Sequence, residues 1–349
     1  MTCTTPSASA ILPYQAGSRL SLRIDGFPFT LNVDVLQPVL PFRPVSQILV
    51  VQSSSEETEE LLDLPRGTSF IVKVYDPRFR EDRFKCKWSR PWSYTAECEA
   101  AKIRVTEGRD PDFKFWPEPE EEDAAGWEEW FYQKAETQHH YELSAYRRLA
   151  PLQGTFVPRC YGTGVLKLPN RHICPDVLLL EYVPDARRLD TVDPQNVDSS
   201  IARALLDTVG QIHELGVTHL NFNEGHVLFT PGGCPTRGVI IDFGWSSYRG
   251  DLESDVEWKE EVEASGDYEF MKLYLKRFLG SDIESIYKQD TIYSVWEDGK
   301  VPFVSAEDIG ELAADLLASW EVRQPNWNRD VIIHGLSLNS KDVRPLCLL

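Results

Sequence analysis

Two short stretches hold most of the side chains capable of chemistry. Residues 219 to 228 read HLNFNEGHVL, and residues 239 to 247 read VIIDFGWSS. The first supplies two imidazoles, His219 and His226, the amide of Asn221 and the carboxylate of Glu224. The amide oxygen of Asn221 can accept a hydrogen bond from a substrate hydroxyl, but it cannot take the proton. The neutral imidazole of His226 is a poor ligand for Mg2+ and suits softer metals. Glu224 could supply an oxygen ligand, although it reads first as a solvated loop residue. The second stretch ends an apolar run on Asp242, Phe243 and Gly244, in which Asp and Gly favour a turn. A further candidate, Lys73, stands in the middle of TSFIVKVYD, residues 68 to 76. Amid apolar strand residues a lysine costs solvation free energy unless an acidic group pairs with it. His139 and His140 adjoin on a helical stretch and point about 100° apart, so they make no metal pair.

These residues need elements to position them. From Leu20 to Gln52 short β-branched and apolar runs alternate with Gly and Pro, which predicts antiparallel strands. The run 53 to 60, SSSEETEE, is a polar loop, and TSFIVKVYD follows as the strand that carries Lys73. PWSYTAECEAAKIRV can form a helix, and PDFKFWPEPEEED is an acidic loop containing prolines. Residues Trp127 to Leu149 contain good helix formers without Gly or Pro, with Phe131, Ala135, Leu143, Tyr146 and Leu149 roughly on one apolar side. Glu142 lies on this helix. Strands are expected at 157 to 166 and 175 to 183. A helix is expected over 199 to 216, with Ile201, Leu205, Val209, Ile212 and Leu215 at helical spacing, Ser199 or Ser200 as cap and Gly216 as stop. HVLFT, a PGG turn and RGVIID predict a hairpin. Further amphipathic helices are expected near 267 to 279 and 305 to 320. No internal repeat is visible.

A chain of 349 residues with 42% hydrophobic and 11% aromatic content can build a large core. Its net charge of -19 repels a phosphate backbone, which argues against nucleic acid as a partner. No apolar run approaches the length of a membrane span, and the first residues lack the basic and apolar regions of a secretion signal. An intracellular, cytoplasmic and soluble protein without membrane association is therefore expected. The seven scattered cysteines read as free thiols, and the ending CLL does not fit the prenylation pattern. The ten tryptophans are expected to serve packing, several of them around the segment 76 to 126.

The order of elements resembles the protein-kinase-like superfamily, and FIVKVYDPRF, YELSAYRRL, LLLEYV and VIIDFGWSS are similar in character to its divergent fungal members. The resemblance covers roughly residues 20 to 320. It implies an α+β, two-lobed fold with a small antiparallel β-rich N-lobe and a mainly helical C-lobe. The expected division is a tail over 1–19, an N-lobe over 20–183 with an insert at about 76–126, and a C-lobe over 184–349. It also implies that Lys73 contacts the α- and β-phosphates of ATP and is held by Glu142, and that Asp242 binds the Mg2+ or Mn2+ that bridges the phosphates. Leu180 would take the gatekeeper position, and the backbone of Glu181 and Val183 would face the adenine edge.

The chain also departs from the family. Counting from His219, the positions of the catalytic aspartate and of the second metal ligand are held by Asn221 and His226. The first hairpin candidate, VLQPVLPFRPV at 35 to 45, has no glycine with which to cover phosphates. No Ala-Pro-Glu follows Asp242 to anchor a peptide substrate. The expected function is a pseudokinase or strongly impaired kinase that binds ATP weakly and acts through a protein partner. Two alternatives stand beside it: an active atypical phosphotransferase that uses Asn221 to orient the substrate hydroxyl, and an interaction module that binds no nucleotide.

Overall fold

The computed structural model describes residues 14–40, 45–53, 62–85, 90–108, 115, 118–120, 122–169, 171–280, 331–333 and 336–338. The chain divides into two compact units, Met1–Pro184 and Asp185–Leu349.

The first unit is built on six strands: β1 (Arg19–Ile24), β2 (Thr30–Pro38), β3 (Gln47–Gln52), β4 (Ser69–Val74), β5 (Cys160–Lys167) and β6 (Asp176–Glu181). All pairings are antiparallel, and the order β1-β2-β3-β4-β6-β5 closes on itself because β1 pairs with β2 on one side and with β5 on the other. Closure removes the open edges that a flat sheet would leave. Strand alternation fills the inside. Leu31, Val33 and Val35 of β2 and Phe70, Val72 and Val74 of β4 are buried there, together with Leu22, Leu49, Val51, Leu166, Val177 and Leu179. At the seam β5 approaches β1 so closely that a Cβ on Gly164 would overlap the carbonyl oxygen of Arg23.

Two long helices lie between β4 and β5, α1 (Tyr94–Glu107) and α2 (Ala124–Arg148). The side chains of Ser93 and Asp123 cap their N-termini. Trp127 and Trp130 pack with Phe131 and Phe115, and the fully buried guanidinium of Arg83 lies 3.9 Å from the Phe131 ring while it pairs with Glu128. Just after β4, buried Asp76 accepts from the Tyr14 hydroxyl at 2.7 Å and pairs with Arg78 and Arg171. Burial would raise the Asp76 carboxyl, but the two guanidiniums overcome it and hold its pKa down at about 2.

In the second unit the described elements are α3 (Ser199–Glu214), α4 (Asp255–Ser265), α5 (Asp267–Leu279) and short strands. β7 (Arg187–Arg188), β9 (Val227–Thr230) and β10 (Arg237–Ile240) form one sheet, and β8 (Val217–Thr218) pairs with β11 (Ser247–Tyr248). β12 (Val331–Ile333) pairs with β13 (Leu336–Leu338). Ile201, Leu205, Val209 and Ile212 form the buried face of α3. Its cap is Asp198 rather than Ser199 or Ser200, because the Asp198 carboxylate accepts the N–H of Ser200. Gly216 follows the helix with φ +72, the left-handed conformation that ends it.

The two-lobed kinase-like fold expected from the sequence is corrected by this architecture. The strands close into a six-stranded antiparallel barrel, and with the helices they make a mixed α/β protein without an obvious kinase-like division. Local alternation reveals strands, but closure depends on β1 meeting β5, a pairing between segments far apart in sequence. The lid candidate lies in the second hairpin rather than the first: Val35 to Pro38 belong to β2, which pairs antiparallel with β3. The helix expected near 305 to 320 lies outside the described residues. No helix among the described residues is long and apolar enough to cross a membrane. The described cysteines Cys98, Cys160, Cys174 and Cys234 are free thiols.

Candidate functional site

The candidate residues fall in both units, and each group is described by itself.

In the first unit Lys73 alternates with Val72 and Val74, so it points away from the barrel interior, on the face where Leu178 is its neighbour in the ladder. There it meets Glu142 of α2. Lys73 Nζ lies 2.8 Å from Glu142 Oε1 and 2.6 Å from Oε2. The Tyr75 hydroxyl donates to Oε2 at 2.6 Å. All three side chains are buried, and Glu142 has no exposed surface. His139, one helical turn before Glu142, lies edge-on to Tyr75, and its Nε2 donates to the Thr163 hydroxyl, which in turn donates to the Val177 carbonyl. Burial, and then the neighbouring His140, push the His139 pKa down to about 4. Tyr75 was not singled out in the sequence; a polar aromatic two residues after Lys73, on the same strand face, was the available signal. At the end of β6 the N–H of Glu181 donates to the Arg159 carbonyl at 2.8 Å, and the Glu181 carboxylate accepts the Arg159 N–H. Leu180 and Val183 are buried.

In the second unit the loop from β8 to β9 is organised by His219. Its Nε2 donates to the Ile241 carbonyl at 3.0 Å, and its Nδ1 accepts the N–H of Asn221 at 3.3 Å. The ring stacks on Phe222 at 4.1 Å and packs against Phe243. Full burial holds its pKa down at about 4, against the opposing pull of Asp267. With both nitrogens engaged, His219 is a neutral strut between the loop and the segment leading to Asp242, and not a proton carrier.

Asp267, at the start of α5, accepts the N–H groups of His219 at 2.6 Å and Leu220 at 2.9 Å, and lies 3.2 Å from His213 Nε2. Sequence reading placed the helix but not this role. The signal was an Asp directly after Gly at the start of an amphipathic run, which favours a carboxylate near helical N–H groups.

Asn221 is half-buried, and its carbonyl lies 2.7 Å from His226 Nδ1. Nε2 of the same ring lies 3.2 Å from Asp242 Oδ2. The side-chain nitrogen of Asn223 also lies 3.0 Å from Nδ1, so the buried ring is held among Asn221, Asn223 and Asp242. Asn223 accepts the Gly225 N–H and caps the short turn that carries Glu224 and His226. Asp242 has φ +70 and Leu220 has φ +59, left-handed conformations uncommon for residues other than glycine. Such strain concentrates at functional sites.

The donors brought together around Asp242 do not suit the Mg2+ or Mn2+ implied by the resemblance. Mg2+ demands near-octahedral oxygen coordination, whereas an imidazole stands against the carboxylate. Among the described residues no three His, Cys, Asp or Glu side chains gather in a way that could hold a metal ion.

His139 and His219 predict an acid response. Each takes up its proton near pH 6.5 in the unfolded chain and only near pH 4 in the fold, so between these values the unfolded state binds more protons. Stability is therefore complete above pH 6.5 and is lost as pH falls towards 4, by on the order of 3 kcal/mol per histidine. Urea denaturation at pH 7 and pH 4.5 measures this loss, and His139→Gln is expected to shallow it in the first unit.

No protein-family model matches the sequence, and a search of curated proteins finds no match.

Proposed function

We propose that this chain is a pseudokinase in the functional sense, a protein that binds nucleotide through Lys73, transfers phosphate poorly or not at all, and acts through a protein partner. The reading rests on side chains and on the sequence resemblance, and the closed barrel lends it no support. The observation that carries it is the buried pair of Lys73 with both carboxylate oxygens of Glu142. Burying two charges is a poor way to stabilise a fold, because apolar side chains of the same volume generally do as well or better. A lysine held rigidly among apolar strand residues is better explained by an anionic ligand such as a nucleotide phosphate.

Against turnover stands the loop. Asn221 cannot accept a proton, His219 has both nitrogens engaged, and His226 faces the carboxylate that resemblance assigns to the metal. Losing a general base alone costs on the order of 10²- to 10⁴-fold in rate. The test is phosphate transfer from ATP by Asn221→Asp beside the wild type. Turnover at background in both is the expected outcome. A gain of about 10²-fold or more on restoring the carboxylate would favour an active phosphotransferase instead.

A further inference from the structure

We propose that the His226 ring takes the place of a divalent cation at Asp242, so that this carboxylate holds no metal. The inference stands on the geometry of the second unit alone.

Three observations carry it. First, Nε2 of His226 lies 3.2 Å from Asp242 Oδ2, where it supplies the partner that a cation would otherwise supply. Second, the ring is held from behind. Nδ1 lies 2.7 Å from the Asn221 carbonyl, the side chain is buried, and Asn223 fixes the turn that carries it by accepting the Gly225 N–H. Swinging the ring aside to admit an ion would break a buried hydrogen bond and leave the Asn221 carbonyl without that donor. Third, the backbone of Asp242 is committed to a left-handed conformation, φ +70, which limits where its carboxylate can reach. A divalent cation would then find one carboxylate and an imidazole, and among the described residues no third acidic, histidine or cysteine ligand joins them. A hard cation bound so sparsely keeps most of its water and little affinity.

Mn2+ titration of the full chain, read by water-proton relaxation, tests this. The wild type is expected to show no saturable Mn2+ site below millimolar concentration. His226→Asn keeps an amide donor for the Asn221 carbonyl and removes the imidazole from Asp242, and should bind Mn2+ at least tenfold more tightly, with the gain abolished by a further Asp242→Ala. Tight Mn2+ binding by the wild type that Asp242→Ala removes would overturn the proposal, as would an unchanged affinity in a folded His226→Asn. Should that variant fail to fold, the wild type and Asp242→Ala decide between the same two outcomes.

Discussion

Lys73→Met is expected to destabilise the first unit by about 3–5 kcal/mol, the cost of leaving one member of a buried ion pair uncompensated. Glu142 has no exposed surface, and it would retain the Tyr75 hydroxyl but lose a cation bonded to both of its oxygens. The double variant Lys73→Met with Glu142→Leu should recover at least half of that loss, because apolar side chains of similar volume replace a buried pair at little cost. Recovery is incomplete because the Tyr75 hydroxyl loses its 2.6 Å acceptor. Urea denaturation of the single and double variants gives the comparison. If the single variant were as stable as the wild type, the pair would contribute nothing to the fold.

Asp267→Ala is the second large effect. Its carboxylate accepts two backbone N–H groups of the loop, from His219 and Leu220, in a site from which water is excluded. Hydrogen bonds to charged groups contribute about 1.5–3 kcal/mol each, so losing both should destabilise the second unit by roughly 3–6 kcal/mol. Leu220 has φ +59, a conformation that its surroundings must impose, and without Asp267 the loop should relax from it. Hydrogen exchange at the amides of His219 and Leu220 should then rise far more than at α3. Equal acceleration throughout the unit would mean that Asp267 supports the whole fold rather than the loop.

What the sequence revealed and what it hid follow one physical division. Lys73 was conspicuous because a charge in an apolar strand is incongruous, and helical spacing gave the buried face of α3. The hairpin of β9 and β10 was legible from a PGG turn between two β-rich runs. Barrel closure was not legible, because the pairing of β1 with β5 leaves no local trace. Residues whose roles depend on burial were hidden too. His219 has the residue type of a proton carrier, and only its stacked, doubly bonded setting makes it a strut. Asp76 and Asp267 look like ordinary acids until the guanidiniums and N–H groups around them are seen. Asn221 and His226 could be placed by counting from His219, but the contact of His226 with Asp242 was not legible.

The central claim is that nucleotide binds at Lys73. It is tested most directly by thermal shift with ATP at millimolar concentration, comparing the wild type with the Lys73→Met, Glu142→Leu double variant. At ten times Kd, binding to the native state alone adds about 1.4 kcal/mol. A shift in the wild type that is absent in the folded double variant is the predicted result. No shift in the wild type, or an equal shift in both proteins, would contradict the account.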